Sequence, residues 1–187
     1  MLRIRNANLI EHKYTMEKIS AYLTEQVISS NSAEAKSLYE KSCFGEPVGE
    51  KIQYTLTETF FLAEKDKIDV FSRNRKLTKK ELLDRFSRID KKFIIKYPVF
   101  KDLRERGYII KTALKFGADF RVYEKGKKPG NEHAKWVLFV DHESKKLTWH
   151  EFSAKNRVAH STKKNLLLAI VDEEGDISYY EVRWIKP

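Results

Sequence analysis

The hydrophobic positions change period several times along the chain, and the changes mark out its elements. Up to about Val27 the alternation is too weak to assign. From Asn31 the stretch NSAEAKSLYEKSCFG reads as a short helix: Asn31 or Ser32 caps it, Leu38 and Tyr39 lie on its inner side, and Gly45 stands near its stop. GEPVG reads as a turn, IQYTLT (52–57) as a strand, and TETFFLAEK as a helix capped by Thr57. KIDVFS is another short strand. Leu82, Leu83, Phe86, Ile89, Phe93 and Ile94 then recur at helical spacing behind a capping box of Thr78 and Glu81. Pro98 is expected to interrupt this run, and a second helix to start at Phe100 and stop at Gly107.

Beyond Gly107 the period shortens. YIIKTAL and DFRVYEK read as strands, the second with Phe120 and Val122 on one face and Arg121 and Tyr123 on the other. AKWVLFVD is a buried strand, and LTWHEFS is either a strand or the approach to a helix. SAKNRVAHSTKK reads as a short helix with Ser153 as its cap. NLLLAIVD is an almost unbroken apolar run, as in a strand covered on both faces. EEGD is a turn, and ISYYEVRWI alternates to the end. The pattern predicts an α+β chain of two small domains, residues 1–91 and 92–187, the second a mixed sheet flanked by helices.

Composition narrows the classes. Hydrophobic residues make up 41% of the 187 positions and aromatic ones 12%, enough for packed cores. One cysteine, Cys43, excludes a disulfide framework within the chain and a cysteine-based zinc site. No apolar run reaches the roughly 18 residues of a membrane span, and MLRIRNANLIEHKY lacks the apolar stretch of a signal peptide. A soluble cytoplasmic protein without a membrane partner is the expectation. The net charge is +10, with 17 basic and 14 acidic residues (+3) up to Lys91 and 20 and 13 (+7) from Lys92 onward. A basic second half attracts polyanions, nucleic acids among them.

Tyr123 and His133 stand at the two lips of a Lys-, Gly- and Pro-rich loop, and Lys164 precedes the apolar run. Singly, each residue has an ordinary structural explanation. Together they fit one reaction, attack by an RNA 2′-hydroxyl on the neighbouring phosphorus. That step needs a base for the hydroxyl, a proton for the leaving 5′-oxygen and a cation for the phosphorane. A histidine suits the donor, a lysine the charge, and a tyrosine can serve as base where neighbouring cations lower its pKa from about 10. No metal or cofactor is needed. His142, His150 and His160 lack metal-ligand spacing, and no Walker loop, GxGxxG or GxSxG is present.

YPVFKDLRERGYIIKTALKFGADFRVYEKG, His133 and RVAHSTKKNLLLAIVDEEGDISYYEVRWIKP resemble the tRNA-intron splicing endonucleases of the archaeal type. AKSLYEKSCFGEPVG and LTETFFLAEKDKIDV resemble that family's N-terminal domain. The resemblance implies Tyr123 as general base, His133 as general acid and Lys164 as phosphorane stabiliser. At TKKN the register offers Lys163 or Lys164, and alignment with LLLAIVD favours Lys164. The products would be a 2′,3′-cyclic phosphate and a 5′-hydroxyl. Arg157 and Trp184, or Tyr180 in place of Trp184, would pinch an extruded bulge base. Asp172, Glu173, Glu174 and Asp176 would form an acidic loop docking into a neighbouring subunit, giving a homotetramer or an α2β2 complex on a bulge–helix–bulge in precursor tRNA. The alternative is a non-catalytic RNA-binding subunit of such a complex.

Overall fold

The computed structural model describes residues 17–25 and 27–185. The reading of the N-terminal stretch as free of a signal peptide falls on residues 1–14, outside the described residues.

Two sheets form the frame. The first has six strands, β1 (Ile19–Thr24), β2 (Val27–Ser30), β3 (Glu46–Val48), β4 (Lys51–Tyr54), β5 (Ile68–Ser72) and β6 (Arg75–Lys76), in the order β3-β4-β2-β1-β5-β6. All its pairings are antiparallel except β1 with β5. Helix α1 (Ala33–Ser42) joins β2 to β3, and α2 (Leu56–Glu64) joins β4 to β5. The weak opening pattern conceals a strand of regular alternation: Ile19, Ala21 and Leu23 point inward and the residues between them outward. Small Ala21 and exposed Tyr22 hide that period from a hydropathy reading. GEPVG is more than a turn, since Glu46–Val48 pair with β4.

Ser32 caps α1, accepting the Ala35 N–H at 3.2 Å. The cap of α2 is Thr55 and not Thr57. Thr55 makes a reciprocal capping box with Glu58, whose carboxylate accepts the Thr55 N–H at 3.0 Å. Thr57 lies inside the first turn and is buried.

Helices α3 (Lys79–Ile89) and α4 (Phe93–Glu105) lie between the sheets in the chain. The Thr78–Glu81 box is formed as expected. The break comes at Asp90, an extended residue whose carboxylate accepts the Lys92 N–H at 2.9 Å, and Pro98 sits inside α4. Proline there forfeits the bond to the Ile94 carbonyl, but Ile94 lies on the exposed side. The opposite side, Phe93, Tyr97, Phe100 and Leu103, is buried. That aromatic face outweighs one missing hydrogen bond. The boundary drawn near Lys91 falls in this break.

The second sheet holds β7 (Ile109–Ala113), β8 (Ala118–Tyr123), β9 (Trp136–His142), β10 (Asn165–Val171) and β11 (Ile177–Val182), ordered β11-β10-β9-β8-β7. β9 and β10 are parallel and linked by α5 (Trp149–Ser161), the remaining pairs antiparallel. α5 begins earlier than expected, at a Thr148–Glu151 capping box, so Ser153 is an interior residue and LTWHEFS is the cap and first turn of the helix with Leu147 before it. The architecture is thus α+β, with two domains and mixed sheets.

The main core runs from Ile19 and Ile28 through α2, α3 and α4 to Phe120, Leu138 and Val140. Phe60 packs edge-on against Phe86, Phe93 and Tyr97. A second, smaller core on the other face of the second sheet gathers Val137, Phe139, Leu166 and Leu168 with Ala159 of α5. No described helix is long and apolar enough to cross a membrane.

Candidate active site

Three strands of the second sheet end or begin at the same edge. Lys135 ties them together: its N–H donates to the Val122 carbonyl at 3.0 Å, and its own carbonyl accepts the Asn165 N–H at 2.9 Å. Tyr123 is the last residue of β8, His133 precedes Lys135 by two residues, and Lys164 precedes Asn165. The backbone therefore brings the Tyr123, His133 and Lys164 positions to one end of the sheet.

The loop between Tyr123 and His133 is held by its own contacts. Lys127 pairs with Glu132 at 2.7 Å, Lys135 pairs with Glu124, and the Glu132 N–H donates to the Lys128 carbonyl at 3.1 Å. Lys128 also reaches across to the Glu40 carbonyl of α1 at 3.2 Å. His133 stands exposed at the end of this loop, beside buried Ala134.

Tyr123 is only 4% exposed. Burial pushes its phenol up from the ordinary value, Arg121 pulls it down, and Glu46 and Cys43 push it up further. The net direction is upward, the reverse of the lowering expected from neighbouring cations, because strand packing desolvates the ring more than one guanidinium compensates.

Lys163 and Lys164 are told apart by the end of α5. Lys163 adopts a left-handed conformation, φ 55°, and donates to the His160 carbonyl, while the Lys164 N–H donates to the Ala159 carbonyl at 2.9 Å. This is a Schellman ending, in which Lys163 is exposed and Lys164, half-buried, leads into β10. The Lys164 ammonium donates to the Thr162 carbonyl at 2.9 Å and lies 5.8 Å from the centre of the Phe116 ring. Burial and then Arg121 lower its pKa. Arg121 thus acts on both Tyr123 and Lys164, a part the strand pattern did not assign although it put Arg121 on the Tyr123 face.

A cavity of about 330 Å³ opens beside Lys164, bounded by His160, Lys163, Asn165, Arg183 and Trp184 among others. Trp184 is 57% exposed and packs edge-on against His160, ring centres 4.8 Å apart. Arg157 is exposed on α5 one turn before His160 and is not among the residues that bound this cavity. Tyr180 is also exposed, on the edge strand β11.

The acidic turn lies elsewhere. Asp172 accepts the Asp176 N–H at 2.8 Å on its side chain, and Gly175 closes the turn at φ 87°. Glu173, Glu174 and Asp176 face solvent. The seven residues of β10 separate Asp172 from Lys164, about 26 Å at strand rise. Among the described residues no three His, Cys, Asp or Glu side chains group as a metal site would require.

The chain has two α+β domains, and the second brings the Tyr123, His133 and Lys164 positions to one sheet end. The profile described as tRNA intron endonuclease, catalytic C-terminal domain, matches residues 93–179, and that of the N-terminal domain matches residues 20–83. The tRNA-splicing endonuclease of Pyrococcus abyssi is 43% identical over 90% of this chain and 97% of its own length. The one from Methanothermobacter thermautotrophicus is 34% identical over 91% and 99%, and the one from Nanoarchaeum equitans 45% identical over 71% and 88%. The chain belongs to the tRNA-intron endonuclease family and carries both of its domains.

Proposed function

We propose that the chain is a tRNA-splicing endoribonuclease, working in the cytoplasm, that cuts precursor tRNA at intron boundaries within a bulge–helix–bulge. Tyr123 takes the proton of the 2′-hydroxyl, whose oxygen attacks the adjacent phosphorus. His133 protonates the departing 5′-oxygen, and Lys164 neutralises charge on the phosphorane. The ends are a 2′,3′-cyclic phosphate and a 5′-hydroxyl, and no metal takes part.

The observation that carries this reading is the meeting of three strand ends through Lys135, with Tyr123, His133 and Lys164 each within two residues of a bonded position. The family membership supplies the substrate class. Arg157 and Trp184 take an extruded bulge base between them, and stacking of that kind contributes about 1–3 kcal/mol per base without reading its identity. Shape dominates recognition, because A-form RNA hides its base edges in a narrow groove. Asp172, Glu173, Glu174 and Asp176 serve assembly, a homotetramer in the simplest case or an α2β2 complex with a structural subunit.

Incubation with EDTA and an RNA hairpin carrying two small bulges separated by a short helix tests the reading. Cleavage at the bulges with cyclic-phosphate ends is the expected result. Dependence on Mg²⁺ would overturn the mechanism. Binding without cutting would leave the non-catalytic subunit as the function.

A further inference from the structure

Arg121 sits on β8 two residues before Tyr123, on the same face, with Lys111 and Val137 as its register partners. Its Nε is a buried donor that meets no acceptor among the described residues. A buried N–H without a partner is costly, and such a group persists where something else supplies the acceptor. The rest of the guanidinium is loosely held: one Nη lies 3.4 Å from Glu46, a carboxylate on β3 of the first domain that is itself about half exposed. A long, single-pronged, solvent-washed ion pair is readily exchanged for another anion. Lys111, the next cation on that face, is by contrast locked into a buried pair with Glu58 and the Gly45 carbonyl. Lys164 spends one of its three ammonium donors on the Thr162 carbonyl. Arg121 is therefore a cation with a buried, unpartnered donor on the Tyr123 face of β8.

We propose that Arg121 is a fourth working group of the active site: its guanidinium exchanges Glu46 for a non-bridging oxygen of the scissile phosphate. This rests on the nuclease reading above. The planar fork suits a phosphate oxygen pair, which a lysine at the same place would grip at one point only. The groups that act on the phenol are Arg121 on its own strand, Glu46 on β3 and Cys43 at the end of α1, and Arg121 also acts on Lys164. Of the three that act on the phenol, only Arg121 stabilises the phenolate. The first domain thus reaches the chemistry through Glu46, which competes with the substrate for the guanidinium and opposes ionisation of the base.

The test is single-turnover cleavage of the bulged hairpin from neutral to strongly alkaline pH. Arg121→Gln should cut about 10–1000-fold more slowly at neutral pH and shift the rising limb to higher pH, as loss of one adjacent opposite charge requires. Glu46→Gln should shift the limb the other way and lower the RNA concentration for half-saturation. A limb at the parental pH in Arg121→Gln, whatever the rate, overturns the proposal, since a structural role lowers the rate equally at every pH. Should Arg121→Gln fail to fold by circular dichroism, Glu46→Gln decides alone, and an unmoved limb overturns the proposal. Absence of cleavage by the parental chain would fail the nuclease reading itself. Parental cleavage with an unmoved variant limb fails only the role of Arg121.

Discussion

The Lys111 ammonium meets the Glu58 carboxylate at 3.1 Å, with 3% of each side chain exposed. Lys111 is on β7 of the second domain and Glu58 in the first turn of α2 in the first. The same ammonium donates to the Gly45 carbonyl at 2.5 Å, and Glu58 accepts the Gly45 N–H at 3.0 Å. A charge pair closed over one glycine therefore fastens the domains together. Gly45 itself admits no side chain: φ is 75°, and a Cβ would stand 2.4 Å from Ile52.

Removing one member leaves the other buried and unpaired. Lys111→Ala is expected to destabilise the chain by about 3–5 kcal/mol, read as a shifted urea midpoint, whereas replacing both partners by apolar residues should cost much less.

The acid limb of stability should depend on Asp141. Burial pushes its carboxyl up, but Lys145 at 2.8 Å and Lys155 at 3.1 Å, with Lys92 behind them, hold it below the ordinary 3.8. A folded-state pKa below the unfolded one contributes stability that is fully present above the unfolded value and lost as pH falls through the folded value. Denaturant unfolding from mildly to strongly acid pH should show that loss, and Asp141→Asn should flatten it.

His133 carries the proton donor's role in the proposed reaction. His133→Ala is expected to slow the chemical step by roughly 10²–10⁴-fold under single-turnover conditions. Since the side chain is exposed, its removal should leave the thermal midpoint unchanged. Cleavage at the parental rate would remove the assignment.

The acidic turn is proposed for assembly and lies at the far end of β10 from Lys164. Asp172→Lys should lower the mass seen by light scattering from tetramer to dimer. An unchanged mass would separate this turn from assembly.

Helix capping offers a test of the corrected start of α5. Thr148→Ala, which removes the acceptor of the Glu151 N–H, is expected to cost about 1 kcal/mol. Ser153→Ala should be near neutral, because Ser153 is an exposed interior position.

Much of this was legible in the residues. Alternation located β8 and β11, nearly continuous apolar runs located β9 and β10, and the Thr78–Glu81 spacing located the start of α3, because burial on one face forces period two, burial on both faces removes it, and side-chain capping is local. β1 was not legible, since half of its alternation rests on an alanine inside and a tyrosine outside. Pro98 was misread because proline's cost is local, while the aromatic contacts of Phe93, Tyr97 and Phe100 that outweigh it come from α2 and α3.

For the site, the sequence by itself determined residue types: a phenol, an imidazole and an ammonium near strand ends, in a basic half. Only the tertiary structure decided how exposed the two lysines are: a Schellman ending of α5 leaves Lys163 exposed and Lys164 half-buried, both against one cavity. It also decided that the Tyr123 phenol is raised and not lowered, and that Arg121 and Glu46 from the two domains stand beside it. Local patterns follow from side-chain volume and period, which each segment carries alone. Desolvation and charge neighbours depend on which distant segments pack together, and no single stretch of the chain contains that information.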